Sequence, residues 1–427
     1  MERRAFLQTA ASTAALAAGA RVLGANERFN VAVIGCGGMG SHHLGRLLNN
    51  DMVDVAYVCD VDENRLAKAA KAATDRNKQT KPVKDLRNIL DDKKIDAVWI
   101  ATPDHWHAPA AILALNAGKH VYVEKPCAHN IREGRLMIEA ARNNKRTCQV
   151  GTQSRSTAHL LKAMEILNKG TIGDILVAKA WNSQKRANIG HAKPVPVPPN
   201  LDYELWVGPA PLVPFQPNRS HYTWHWWYDF GTGDMGNDGV HNIDIARWGL
   251  GVDKHPSTIS GTGHKLFFDD DQQFADTQYI VFDYPGDGKF GARRQLIYEQ
   301  RIWSPYMQEG FENGDAFYGT KGVMLLGQTG MKLYGADNKL IEEAKGAPSV
   351  PDHHANFFEC IKSGNRPNAD IEINHLSSSL CHLGNIASRL GRALRFDPAK
   401  EQFVDDSEAN ALVGRKYREH WATPKGA

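Results

Sequence analysis

The pattern of apolar and polar positions changes period twice along the 427-residue chain. From Phe29 a short β-branched run, FNVAVI, leads into glycines and then into a helical pattern through GSHHLGRLL. A continuous apolar run of that length reads as a buried strand, and a 3.6-residue period as the helix that covers it. The alternation goes on through strand MVDVAYVCD, helix ENRLAKAAKAA, a helix around KDLRNILDD, strand IDAVWIATP, helix HAPAAILALNAG and strand KHVYVEKP. Strands alternating with helices predict an α/β domain on a parallel sheet. From about residue 255 the period drops to two, with Gly breaks, in STISGTGHKLFF, TQYIVFDY, RRQLIYEQ, AFYGTKGVMLLG and MKLYG. These read as antiparallel strands. The tail returns to helix in HHANFFECIKSG and NHLSSSLCHLGNIASRLGR, and a last helix is expected from about Asp406 to Trp421.

The first 26 residues do not fit this alternation. They carry Arg3-Arg4, then an Ala-rich, weakly apolar run without an acid, then small residues, which is signal-peptide architecture. Arg3-Arg4-Ala5-Phe6-Leu7 resembles a twin-arginine export signal, with Glu2 where such signals often have Ser or Thr. The run is too short and too Ala-rich for a membrane span, and no later stretch offers 18 apolar residues. The expectation is a soluble periplasmic or exported protein that meets the twin-arginine export machinery already folded. The chain then divides into 1–26 signal, 27–150 nucleotide domain and 151–427 substrate domain with returning helices.

Composition narrows the classes further. A net charge of +3 from 51 basic and 48 acidic residues gives no field that recruits nucleic acid. The six Cys show no CxxC spacing and none of the density of a disulfide scaffold. Export of a folded protein lets such thiols stay free.

Gly35-Cys36-Gly37-Gly38-Met39-Gly40 fits G-x-G-x-x-G, with a strand before, a helix after, and Asp60 ending the second strand 20 residues later. The glycines permit a tight turn and close backbone approach to a pyrophosphate, and the helix N-terminus supplies free N–H groups. Asp60 accepts hydrogen bonds from ribose hydroxyls and repels a 2′-phosphate, which favours NAD over NADP. Ligands of doubly wound sheets sit beyond the carboxyl ends of the strands. Thr102-Pro103-Asp104-His105-Trp106-His107 and Glu124-Lys125-Pro126 both lie there.

The set VIGCGGMG, TPDHWH, AGKHVYVEKP and GNDGVHNID closely resembles the glucose-fructose oxidoreductase / inositol dehydrogenase (Gfo/Idh/MocA) family, from about residue 29 to the C-terminus. The resemblance implies an N-terminal Rossmann domain, a C-terminal α/β domain with a mostly antiparallel open sheet, and NAD(P)-dependent oxidation or reduction of a sugar or polyol hydroxyl. It also implies that the open sheet is a homo-oligomer interface. Lys125 has a physical rationale of its own, because an ammonium at a strand end stabilises alkoxide character as hydride leaves carbon. A cis Lys125-Pro126 peptide would fix its direction. Glu124 is assigned to positioning beside the cofactor, Thr102 and His105 to the cofactor site. For His105 and His107 a capping role stands as the alternative.

Asp234, Asn237, His241 and Asp244 are spaced by 3, 4 and 3 and share one face of a helix. His241, with an ordinary pKa near 6.5, is the candidate general base, with Asp244 orienting or tuning it. The family often has a carboxylate four residues before this His; Asn237 stands there and is assigned to the sugar, while Asp238 on an α-helix points about 100° away. Residues 186–228 form a Pro-rich loop with four of the ten Trp. Its apolar faces and directional donors suit a pyranose ring, and Arg219 and Trp224 are the candidate sugar contacts. No metal-binding spacing is present. The leading function is an exported NAD-dependent sugar or glycoside dehydrogenase. The rivals are a glycosidase that oxidises the ring transiently with a recycled NAD, and a non-catalytic periplasmic sugar-binding protein.

Overall fold

The computed structural model describes residues 28–76, 78–347 and 349–427. The expected export signal, residues 1–26, therefore lies outside the described residues. β1 (Phe29–Ile34), α1 (Gly38–Leu48), β2 (Val53–Cys59), α2 (Glu63–Thr74), β3 (Lys81–Val83), α3 (Arg87–Leu90), β4 (Ala97–Ile100), α4 (Asp104–Asn116), β5 (His120–Val123), α5 (Ile131–Asn143) and β6 (Cys148–Val150) follow one another along the chain. The six strands form one sheet in the order β3-β2-β1-β4-β5-β6, every pair parallel. The order reverses between β1 and β4, and in doubly wound sheets the crevice for a ligand opens at that switch point. β4 and β5 are buried at every position except His120, as continuous apolar runs require in a sheet covered on both faces.

The second sheet has ten strands: β7 (Ile175–Asn182), β8 (Thr258–His264), β9 (Thr277–Tyr284), β10 (Arg294–Arg301), β11 (Asn313–Gly319), β12 (Gly322–Gly327), β13 (Gly330–Gly335), β14 (Leu340–Lys345), β15 (Leu394–Asp397) and β16 (Gln402–Phe403). All its neighbours are antiparallel except β7 with β10. β7 and β14 escape a reading by pattern, since LIEEAK is half charged and β7 sits apart from the other strands. α6 (Ala158–Asn168), α8 (Val240–Leu250) and α10 (Ile371–Leu390) pack one face into a single core with Phe282, Leu296 and Phe317. The remaining helices are α7 (Tyr203–Val207), α9 (Val350–Ser363) and α11 (Ser407–Asn410).

Two parts of the tail depart from expectation. α9 lays Phe357 and Phe358 into the Rossmann core against Val31, Trp99 and Tyr122, so the first domain is completed by residues from the far end of the chain. Burying each ring is worth about 1.5–3 kcal/mol. The expected last helix is only α11; beyond it the chain is irregular, because Arg415, Tyr417 and Arg418 bond into other elements: Arg415 and Tyr417 to Glu133, Arg418 to Gly208 O. All six Cys are buried and unpaired. No helix among the described residues is long and apolar enough to cross a membrane.

Candidate functional site

A cavity of ≈ 350 Å³ opens at the switch point of the parallel sheet. Gly35, Gly37, Gly38 and Met39 line one end. Gly35 has φ +87°, and a Cβ there would lie 2.5 Å from Ala101 O. Gly40 does not line the cavity; a Cβ on it would lie 1.7 Å from Gly35 O, so its task is close packing of α1 on the turn. Nothing stands within 4 Å of a Cβ on Gly38, and α1 begins there with no side-chain cap, leaving its first N–H groups to a ligand.

Asp60 ends β2 and also lines the cavity, accepting from Cys36 N at 2.7 Å and Asp62 N at 2.9 Å. Burial raises its pKa against those bonds. Arg65, Lys84 and Asp85 line the same end, as do Leu86 and Trp421; the sequence reading singled out none of the five. Thr102 lines the cavity with a buried hydroxyl that has no partner. A glycine cradle at a helix start, a carboxylate at the end of β2 and an unsatisfied buried hydroxyl fit a dinucleotide.

At the other end lie Glu124, Lys125, Asn237, Tyr222, Trp224 and His225. The Lys125–Pro126 peptide is cis. Lys125 Nζ donates to Asn237 O at 2.7 Å and to Asn237 Oδ1 at 3.3 Å, which aims the ammonium and leaves one N–H free. Glu124 Oε1 accepts from Gln153 at 3.1 Å and faces His43 Nε2 at 2.9 Å. Burial opposes its charge, but His43 and Lys125 outweigh burial and hold the carboxyl at about 2. Trp224 stacks on His225 with ring centroids 3.6 Å apart. Burial pushes His225 down to about 3, so the ring is neutral.

His241 is not among the residues that line the cavity; it is half-buried at the start of α8, with its pKa lowered first by burial and then by Lys125. A neutral imidazole at pH 7 is the form a base needs. Asp244 does not orient it by a hydrogen bond, since its carboxylate is taken by Arg155 at 2.7 and 2.9 Å and by Ser377 at 2.6 Å; it tunes the imidazole only as a nearby negative charge. Of the carboxylates around the base, Asp238 acts on it most, ahead of Glu124 and Asp244. Residues Met235–Gly239 form a π-helical turn, and the extra residue removes the α-helical offset that was expected to turn Asp238 away. Gly236 and Gly239 make room for that turn, since a Cβ on either would lie within 2.2 Å of Thr232 Oγ1 or Tyr298 OH. Asp238 bonds Arg186 and Gln184, and although burial works against its charge, Lys125, Arg186 and His241 keep it ionised. Asp234 is held by Arg186 at 2.8 Å and receives Asn237 Nδ2 at 3.1 Å.

Two further expectations are corrected. His105 lies outside the cavity lining, wholly buried between Trp206 and Phe230 with Nε2 2.9 Å from Trp206 O. Burial and then Arg415 press it down to about 3. His107 takes the place on the cavity, bound to Pro126 O at 2.7 Å and Thr102 O at 2.9 Å. Arg219 is also outside the lining: its guanidinium stacks on Trp227 at 4.2 Å and donates to Pro214 O, bracing the loop. Trp224 does line the cavity, with its indole N–H donated to His221 O. Away from the cavity, His255, His375 and Glu401 group their ligand-type atoms within 4.8 Å, but Arg135 pairs with the same carboxylate at 2.5 Å, a poor neighbour for a metal cation.

Comparison with known proteins agrees with this fold. Residues 29–152 match the profile described as oxidoreductase family, NAD-binding Rossmann fold, and residues 176–280 and 321–423 match oxidoreductase family, C-terminal alpha/beta domain. The chain is 30% identical over 261 residues to inositol 2-dehydrogenase 2 of Saccharopolyspora erythraea, covering 60% of this chain and 62% of that one. It is 29% identical over 158 residues to a glycosyl hydrolase family 109 protein of the same organism, covering 36% and 34%. The chain thus spans less than two thirds of the length of these relatives. In fold it is similar to the WlbA dehydrogenase from Bordetella pertussis, solved with NADH and UDP-GlcNAcA, at TM-score 0.64 and 20% identity, covering 87% of this chain and 99% of that one.

Proposed function

The chain belongs to the Gfo/Idh/MocA oxidoreductase family, with an NAD-binding Rossmann domain, and from that premise we propose that it transfers hydride between a secondary hydroxyl of a sugar or glycoside and NAD. The observation that carries the reading is Lys125: an ammonium at the end of β5, aimed by Asn237 and with one N–H unspent, on the same cavity as the glycine cradle. Bound NAD supplies the hydride acceptor. Gly35, Gly37, Gly38 and Met39 hold its pyrophosphate, Asp60 its ribose, and Thr102 and Glu124 the nicotinamide end.

Lys125 donates to the reacting oxygen and stabilises its alkoxide character. His241, neutral at pH 7, takes the hydroxyl proton, and Asp238 stabilises the imidazolium that forms. Asn237 fixes the direction of Lys125 and reaches the sugar with Tyr222, Trp224 and His225. The loss of the Arg219 contact leaves the sugar held by aromatic faces and neutral donors, which suits an uncharged ring. The inositol dehydrogenase similarity supports a polyol or sugar as substrate.

A second reading is favoured by the family 109 similarity: a glycosidase in which NAD is reduced and reoxidised within each turnover. One assay separates the two. Purified protein, with its copurified NAD quantified, is incubated with a panel of polyols and glycosides while reduced nicotinamide and products are followed together. Ketosugar matched by NADH is the expected outcome. Aglycone release without net NADH supports the second reading, and saturable binding with neither supports a sugar-binding protein. The Arg3-Arg4 pattern supports export in the folded, cofactor-loaded state, tested by loss of export when both Arg are replaced by Lys. The outer face of the second sheet exposes Tyr279 and Tyr318, which supports self-association there, read by sedimentation.

A further inference from the structure

Pyrophosphate, ribose and nicotinamide have places in the cavity, and the adenine of NAD does not yet. Past Asp60, where β2 and β3 end, the lining is apolar and comes from three distant segments: Leu86 before α3, Leu201 and Leu205 at α7, and Trp421 near the C-terminus. A ribose on Asp60 sets the adenine among them, and apolar walls suit its flat faces. The crevice beyond the strand ends of a doubly wound sheet is open on its own. Here residues of the second domain and of the tail lie across it.

Three sets of contacts hold them down. At the Asp62 edge, Asn200 Nδ2 donates to Asp62 Oδ2 at 3.0 Å, Glu63 N to Asn200 O at 2.9 Å and Asp202 N to Val61 O at 3.0 Å. Asp62 Oδ1 meanwhile caps α2 by accepting from Asn64 N and Arg65 N, so one carboxylate serves helix and loop. On the α4 side, Trp106 Nε1 donates to Trp206 O at 2.9 Å and to Leu205 O at 3.1 Å. Across the top, Arg418 donates through Nη2 to Glu204 O at 2.9 Å and through its backbone N to Pro209 O at 3.1 Å, which ties the tail to α7. Trp421 then lies over the Arg87 guanidinium at 4.4 Å. The edges are unequal. Trp206 is buried, whereas residues 193–197, which lead to Asn200, are all exposed. Exposed backbone with few packed neighbours opens at the lowest cost, so the Asp62 edge is the one that lifts.

We propose that residues 200–206 and the tail at Trp421 form a roof over the adenine of NAD, fastened to the nucleotide domain by Asn200 and Asp62, and that NAD enters and leaves only when this edge lifts. Asn200 is then a gate residue, because its bond joins protein to protein and is made whether or not NAD is bound. Leu205 is a contact residue, because its side chain faces the ligand. The two roles leave different kinetic marks. Loosening a gate raises the rates of entry and release together and leaves affinity nearly unchanged, whereas losing a contact raises release alone.

The inference rests on the proposed placement of NAD, and its tests read binding rather than turnover. In the full chain, bound NADH is displaced by excess NAD while nicotinamide fluorescence reports release, and mixing at several NADH concentrations gives the rate of entry. The wild-type chain is expected to keep about one NAD per chain through desalting, as slow release requires. Asn200→Ala is expected to speed entry and release together, each by about threefold or more, with affinity changed by less than about twofold. Asn200→Asp sets a second carboxylate against Asp62 and is expected to speed both further. Leu205→Ala is expected to speed release alone and to weaken NAD in proportion. Loss of NAD from the wild-type chain on desalting, or unchanged entry and release in both Asn200 variants, overturns the roof. A chain that holds NAD in this way yet reduces none of it with any sugar contradicts the proposed function alone. A sugar dehydrogenase whose NAD exchanges freely contradicts the roof alone.

Discussion

The two walls of the cavity are built in opposite ways. The nucleotide wall is backbone from contiguous segments, the glycine turn and the ends of β2, β4 and β5, and its fit depends on what is missing from it: side chains at Gly35, Gly37 and Gly38. The opposite wall is side chain, brought from the 201–225 loop and the turn at Asn237. A wall of backbone tolerates almost no added volume and reads the same ligand in any relative. A wall of side chains on loops is free to change, and substrate choice is expected to reside there.

The sharpest way to separate the walls is Lys125→Met, which keeps the stem and removes the ammonium. It is expected to lower kcat by about 10²–10⁴ while NAD affinity changes by less than about threefold, measured by steady-state kinetics and calorimetry. His241→Asn is next, with a loss of about 10²-fold in kcat. The pH profile carries the same information. The pKa of His241 is lowered on folding, so the wild-type rate is expected to be flat from pH 7 to 8 and to fall only below the ordinary histidine range, as protonation removes the base. An acid limb centred above 6.5 would contradict that placement.

Gly40→Ala breaks the other wall without touching the ligand. Its Cβ meets Gly35 O, so about 1–3 kcal/mol of binding or stability is expected to be lost, read as NAD affinity and Tm together. Trp421→Ala tests whether the tail belongs to the nucleotide end. Its ring stacks with Arg87 at 4.4 Å, and about 1 kcal/mol of NAD affinity is expected to go with it, seen by calorimetry. Arg219→Ala is expected to leave kcat/KM within about twofold and to cost about 0.5–1 kcal/mol in thermal stability through the lost Trp227 contact.

What was legible in the sequence follows the same division. The glycine turn, Asp60, Thr102, Glu124 and Lys125 lie in segments where strand, turn and helix are local, so pattern and spacing place them. Asp238 was illegible because a helical wheel assumes 3.6 residues per turn, and the π-helical turn over Met235–Gly239 breaks that assumption just before His241. Asp244 sits on the expected face of α8, but Arg155, 89 residues away, claims it. Arg219 and His105 looked like ligand groups by type, and their roles are set by Trp227, Trp206 and Phe230, contacts no spacing reveals. Trp421 was assigned to a helix that the side chains of Arg415 and Arg418 dismantle by bonding elsewhere. The His43–His354 contact spans 311 residues and depends on α9 docking on the first domain.

The central claim is that hydride passes between a ring hydroxyl and NAD in this cavity under the control of Lys125. A single-turnover experiment with NAD-loaded protein and an active polyol, carrying deuterium at the reacting carbon, tests it most directly. The account predicts one equivalent of reduced nicotinamide per site, formed more slowly from the deuterated polyol and not formed on that timescale by Lys125→Met. Reduction of NAD with no isotope effect and at an unchanged rate in Lys125→Met would contradict it.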